Sequence, residues 1–86
     1  MKLSEVTTTG LYQSIDDTSL IYRVFKEREE LVVSEYCFLK KKCGFDMYYA
    51  DRTLHKPSEY DFEVVKVDNF WLSHNGDYLI EIRKKS

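Results

Sequence analysis

Thirteen residues near the C-terminus constrain the fold most tightly: Phe70-Trp71-Leu72-Ser73-His74, then Asn75-Gly76, then Asp77-Tyr78-Leu79-Ile80-Glu81-Ile82. Two apolar-rich limbs separated by Asn-Gly predict a β-hairpin. A type I′ turn needs positive φ at both central residues, which Asn tolerates and Gly adopts freely. Such a turn sets Leu72 opposite Leu79 and Trp71 opposite Ile80. It also assigns Trp71, Tyr78, Ile80 and Ile82 to one face, expected to be core.

Other segments read the same way. In Tyr60 to Val67, Tyr60, Phe62 and Val64 alternate with Asp61 and Glu63, and the second half is β-branched, so a strand is expected. Leu54 to Ser58 reads as a loop, because Pro57 lacks an N–H and biases Lys56 away from helix. Phe45 to Tyr49 reads as a strand entered through a turn at Cys43-Gly44.

Residues 11–43 contain neither Gly nor Pro, and two readings compete there. At helical spacing, Leu20, Ile21, Val24, Phe25, Leu31 and Val32 share an arc, but Arg28 and Glu35 fall near its centre. As strands, Ser19 to Lys26 and Leu31 to Leu39 turn at Glu27–Glu30. That pairing sets Phe25 against Val32, Val24 against Val33 and Ile21 against Tyr36. The abundance of Tyr, Val, Ile and Phe favours strands. Leu11 to Ile15 becomes an earlier strand turning back at Asp16-Asp17.

The resulting expectation is a mainly β single domain over residues 1–86. About seven antiparallel strands in meander order form a small barrel or sandwich. The alternative is α+β, with one helix over residues 18–42 packed on an antiparallel sheet.

Composition narrows the function classes. The net charge is −2, with 13 basic and 15 acidic residues spread evenly along the chain, which argues against a general polyanion binder. Lys40-Lys41-Lys42, Arg83-Lys84-Lys85 and Glu27-Arg28-Glu29-Glu30 are the only local excesses, each short enough to be a solvated turn or end. No apolar run approaches the ~18–20 residues of a membrane span. Met1 to Val6 lacks the apolar stretch of a secretory signal, so a cytoplasmic protein with no membrane partner is expected. On that expectation Cys37 and Cys43 are reduced thiols, with Cys37 a small buried residue between Tyr36 and Phe38.

No catalytic, cofactor or metal site is expected. None of the serines sits in a nucleophile-elbow setting, and the three isolated glycines form no phosphate-binding loop. His55 precedes Pro57 in an expected loop, and His74 flanks the Asn-Gly turn. With Cys37 and Cys43 they offer zinc-ligand types without zinc spacing.

What stands above background is aromatic content: seven tyrosines, five phenylalanines and one tryptophan. Strands favour aromatics on packing grounds alone, but Tyr and Trp also dominate the centres of protein interfaces. Tyr48-Tyr49 is informative, because adjacent strand residues point to opposite faces. One of the two must leave a one-sided core. Tyr48 is expected outside with Arg52, four residues on, and Tyr49 inside with Phe45 and Met47.

The functional expectation is a non-enzymatic protein-binding domain, an inhibitor, adaptor or regulator, acting through Tyr48 or Tyr49 with Arg52. The compositional flavour is that of a phage or bacterial accessory protein that blocks a host protein. Self-association fits the same surface. The alternative is a nucleic-acid or nucleotide binder stacking bases on Tyr or Trp beside Lys40–Lys42.

Overall fold

Seven strands carry the fold in the computed structural model, which describes residues 1–82. The basic run Arg83-Lys84-Lys85 lies outside the described residues. In chain order they are β1 (Gly10–Ser14), β2 (Leu20–Glu27), β3 (Glu30–Lys42), β4 (Phe45–His55), β5 (Val64–Val67), β6 (Phe70–Leu72) and β7 (Tyr78–Glu81). All lie in one antiparallel sheet of order β5-β1-β2-β3-β4-β7-β6, curled into a half-barrel. Strands β1 to β4 form an uninterrupted meander. Strand β5 then crosses to the far edge beside β1, and the β6–β7 hairpin docks on β4 through β7. The helix over residues 18–42 does not form. Among the described residues, helical structure is confined to the 3-10 turns Leu3–Glu5 and Pro57–Glu59.

Strand registers follow from the alternation of side chains. Across β2 and β3, Phe25 faces Val32, Val24 faces Val33 and Ile21 faces Tyr36, as expected. Trp71 opposes Ile80 and Leu72 opposes Leu79. Three features depart from the sequence reading. The regular strand over Tyr60 to Val67 begins only at Val64, because Tyr60 and Phe62 instead drop onto the core as an irregular segment. Strand β4 runs through to His55, so the loop expected from Leu54 starts later. The Asn75-Gly76 turn is not type I′, since only Gly76 has positive φ, +78°. Its closing bond runs from the Gly76 N–H to the Ser73 carbonyl at 2.9 Å. Asn75 stays out of the left-handed region while its Oδ1 accepts the Asp77 N–H at 3.2 Å.

Type I′ geometry appears elsewhere, where no Asn-Gly marks it. Arg28 and Glu29 have φ of 52° and 69° between the paired Glu27 and Glu30, and Cys43 and Gly44 have 53° and 83° between Lys42 and Phe45. The twist of long strands selects this turn over its mirror image, and it overrides the reluctance of Arg and Glu to adopt positive φ.

The sheet is apolar on both faces. On one, Tyr12, Tyr22, Val24, Val33 and Val64 are buried beneath Leu3 and Val6 of the N-terminal arm and beneath Tyr60 and Phe62. The Leu3 N–H donates to the Phe62 carbonyl at 3.0 Å, which ties these two covering segments together. On the other face, Ile21, Tyr36, Tyr48, Ala50 and Leu79 form a second core with Leu11, Phe70 and Leu72. Leu11 of β1 and the β6 residues come from opposite ends of the sheet, so this second core fills the inside of the curl.

Tyrosine supplies much of both cores and brings its hydroxyl inside. Tyr12 donates to the Thr8 carbonyl at 3.0 Å, Tyr36 to the Gly76 carbonyl at 2.7 Å and Tyr48 to the Thr18 carbonyl at 3.4 Å. Each bond satisfies a buried polar group and anchors a loop. Burial, reinforced by the Glu35 carboxylate, raises Tyr22 well above the usual phenol range. Burial and the same carboxylate push Tyr60 up to about 12.

Two measurements test this description. Replacing Arg28-Glu29 by Asn-Gly relieves two left-handed non-glycine residues and should stabilise the protein by about 1 kcal/mol, whereas Gly76→Val should cost about 1–3 kcal/mol. Thermal melts of both variants check these signs. A tyrosine whose folded pKa lies above its unfolded value contributes stability that is complete below about pH 10 and lost as pH rises through the folded value. Stability should therefore be insensitive to Tyr22 and Tyr60 at neutral pH. It should fall as pH climbs from about 10 toward 12, with Tyr22 resisting ionisation longer than Tyr60 by ultraviolet difference spectroscopy.

Candidate functional site

The two sequence-adjacent tyrosines are divided between the faces, as the pleat requires, but the expected assignment is inverted. Tyr48 is buried, 4% exposed, inside the curl against Leu79 and edge-on to Phe70, with ring centroids 5.5 Å apart. Tyr49 is 40% exposed on the outer, convex face. Phe45 and Met47 do share a face with Tyr49, and that face is the exposed one.

Arg52 is separated from both alternatives by a break in the ladder. Tyr36 pairs with Ala50 and Ser34 with Leu54, so β4 spends three residues, Asp51 to Thr53, where β3 spends one. Arg52 takes a left-handed conformation at φ 66° within this bulge. Arg52 borders a concave hollow with Ser34, Tyr36 and Ala50, so it keeps to the side of Tyr48, but that side is the inner one and not the expected outer one. Its guanidinium reaches Asp77 Oδ1 at 2.7 Å, and the Asp77 carbonyl accepts the Ala50 N–H at 2.8 Å. Arg52 thus ties the bulge to the β6–β7 turn. It still borders a hollow of about 310 Å³ with Tyr49, Leu39 and Asp51, so two of the three candidate residues, Tyr49 and Arg52, lie together.

Around Tyr49 the convex face is aromatic and apolar. Tyr49 is registered with Tyr78, their ring centroids 5.3 Å apart. In the next row, Met47 pairs with Ile80, and Ile80 with Trp71. Trp71 is 51% exposed, and Phe45, 42% exposed, lines a further hollow with Met47 and Ile80. Trp71, Tyr78, Ile80 and Ile82 were expected in the core. Both faces of the hairpin are apolar, and its register does not say which will be covered. The curl covers Leu72 and Leu79. The signal that could have found this patch was the surplus of apolar residues on both faces at once.

Charge divides the same surface. A second register shift, at Leu39, pairs Lys40 with Met47 and Lys42 with Phe45, so both lysines stand on the patch side. At the opposite end are Asp51 and Glu35, whose Oε1 lies 3.7 Å from the Cys37 sulfur. Cys37 is exposed as a residue, in contrast to its expected burial, and it is registered with Tyr49. Burial of its sulfur, reinforced by the Glu35 carboxylate, pushes the thiol up, which disfavours the nucleophilic thiolate. His55 approaches Glu59 at 3.5 Å and meets the Tyr60 ring edge-on, while His74 is exposed in the hairpin turn. Among the described residues no three His, Cys, Asp or Glu side chains converge on a common metal position.

Comparison with protein-family models, with curated proteins and with solved structures yields no match to this chain.

Inside and outside tyrosines should separate cleanly on substitution. Tyr48→Ala leaves a cavity in the inner core and should destabilise by about 3–5 kcal/mol, as large aromatic truncations do. Tyr49→Ala should stay within about 1 kcal/mol of the parent, because its ring is partly in water already. Denaturant unfolding of the two variants makes the comparison.

Proposed function

We propose that this chain is a non-enzymatic binding protein that acts by laying its convex aromatic face on another protein, as an inhibitor, adaptor or regulator. The observation that carries this reading is the row Met47–Ile80–Trp71 beside the Tyr49–Tyr78 pair. It spans three strands and is left uncovered by every described segment of the chain. Exposed apolar patches of this breadth favour association, and Trp and Tyr concentrate binding energy at interface centres. The Lys40–Lys42 end and the Asp51–Glu35 end supply a mixed-charge rim that fixes orientation. The exposure of Tyr49 on this face, with Arg52 at its border, supports including both in the proposed surface, and the burial of Tyr48 speaks against including it.

A second reading rests on Lys40 and Lys42 sharing that face with Phe45 and Tyr49. Cations beside exposed rings suit single-stranded nucleic acid, whose bases stack while its phosphates pair. The overall acidic balance places this second.

One experiment separates the two. Bait protein is used to capture partners from source cells with and without nuclease, at low and high salt, in parent, Tyr49→Ala and Trp71→Ala forms. Loss of a captured protein in both folded variants, by about 2 kcal/mol or roughly thirtyfold in affinity each, with little effect of nuclease, is the expected result. Full capture by both variants removes the surface from consideration. Nuclease-sensitive capture that falls steeply with salt favours the nucleic-acid reading.

A further inference from the structure

Inside the curl, one end is filled and the other is open. Ile21, Tyr48, Leu79 and Leu11 close the filled end. Farther along the same strands, two hollows of about 370 and 320 Å³ meet at Arg23 and Phe25, which line both. Leu11 and Leu72 wall one hollow, although β1 and β6 are far apart in strand order, and Leu54 walls the other. Each volume lies in the range that holds a small organic molecule.

Arg23 sits in the middle of this trough. It is half-buried on β2, and its guanidinium carbon lies 4.4 Å from the centroid of the Phe25 ring, which fixes the side chain by a cation–π contact. Arg52, across the trough, is already paired with Asp77. Among the described residues Arg23 has no carboxylate partner. Directly opposite it in register is Ser34, whose residue is 6% exposed. A guanidinium stacked on an aromatic ring, half-buried and without a carboxylate partner, lines a space walled by leucines.

We infer that the concave trough is a binding site for a small organic anion, its carboxylate, sulfonate or phosphate head on Arg23 and Ser34 and its apolar body along Leu11, Leu72 and Leu54. This site is on the opposite face of the sheet from the aromatic patch, and Arg52 lies at the border of both. The chemistry requires both parts of the ligand. The head replaces the missing counter-ion through charge-assisted hydrogen bonds, and the body removes leucine surface from water.

The test uses two fluorescent probes of matched body. 8-Anilino-1-naphthalenesulfonate carries the anionic head, and N-phenyl-1-naphthylamine lacks it. The folded parent should bind the sulfonate at one saturable site, about tenfold or more tighter than the neutral probe. Arg23→Gln, with unchanged circular dichroism, should erase that difference, and Trp71→Ala should preserve it. The probe comparison on the parent protein stands even if Arg23→Gln fails to fold, and Arg23→Lys then serves as the charge-retaining variant, expected to keep part of the preference. No saturable binding, equal affinity for the two probes, a preference that survives in folded Arg23→Gln, or loss of binding in Trp71→Ala would each overturn the proposal.

Discussion

Strand β2 buries apolar side chains on both its faces, and the rest of the architecture answers that double demand. Ile21 points into the curl while Tyr22 and Val24 point out of it, and all three are buried. A sheet with water on either face would leave one of these sets exposed, so both faces need a cover. A chain this short has no spare layer. It covers the inner face by bending the sheet until β1 and β6 approach across it. It covers the outer face with the N-terminal arm and the segment from Pro57 to Phe62. Those two segments reach over β5, β1, β2 and part of β3. Over β4, β7 and β6 the cover runs out, and the apolar residues there remain in contact with water.

Bending a sheet this far needs local breaks, and the long pair β3–β4 supplies them. The extra residue at Leu39 and the three-for-one stretch at Asp51–Thr53 increase twist where they occur, which lets one pair of strands serve both cores. A left-handed arginine at φ 66° is an unfavourable conformation, of order 1–3 kcal/mol, and it persists because its neighbours determine it. The Ala50 N–H bond to Asp77 and the Arg52–Asp77 ion pair hold the bulge against the hairpin turn. Arg52 is mostly exposed while Asp77 is mostly buried, so water screens the ion pair from the arginine side and the backbone bond shares the holding. The same bulges decide which charges join the aromatic face, since without the shift at Leu39 the alternation would turn Lys40 and Lys42 to the other side.

Much of this was legible in the chain, and the unread parts share one cause. Pairing partners are local consequences of alternation and loop length, so Phe25 with Val32 and Trp71 with Ile80 could be read from residue spacing. Which face a strand buries depends on what covers it, and Leu3, Val6, Tyr60 and Phe62 are distant in sequence from Tyr48 and Trp71. Inside and outside were therefore exchanged for Tyr48 and Tyr49, and the hairpin was turned over. Bulges at Leu39 and Arg52 leave no Gly or Pro to mark them. Turn type failed in the same manner. Asn75-Gly76 matches the local preference, but strand twist imposed the type I′ conformation on Arg28-Glu29 instead. The tyrosine count was also ambiguous by itself. Tyr12, Tyr22, Tyr36 and Tyr48 are core residues and Tyr60 packs over the outer core, so of the seven only Tyr49 and Tyr78 remain for the aromatic patch.

How a partner engages such a molecule follows from comparing its edges with its face. The two outermost strands are β5, four residues long and already met at its start by the N-terminal arm, where the Val64 N–H donates to the Met1 carbonyl at 2.8 Å, and β6, three residues long. An added strand on either could make only a few backbone hydrogen bonds, each contributing about 1 kcal/mol net. Short edges of this kind also resist indiscriminate sheet-to-sheet pairing. The convex face offers more. Removing the exposed parts of Trp71 and Tyr49 from water takes away on the order of 200 Å² of largely apolar surface, about 5 kcal/mol at ~25 cal/mol per Å² before the costs of association. Tyr78, Met47, Ile80 and Phe45 add to that area without adding rotatable backbone. The energetics therefore favour a partner that lies across β4, β7 and β6 over one that extends the sheet. The uneven charge at the two ends of the patch then selects the direction in which it lies.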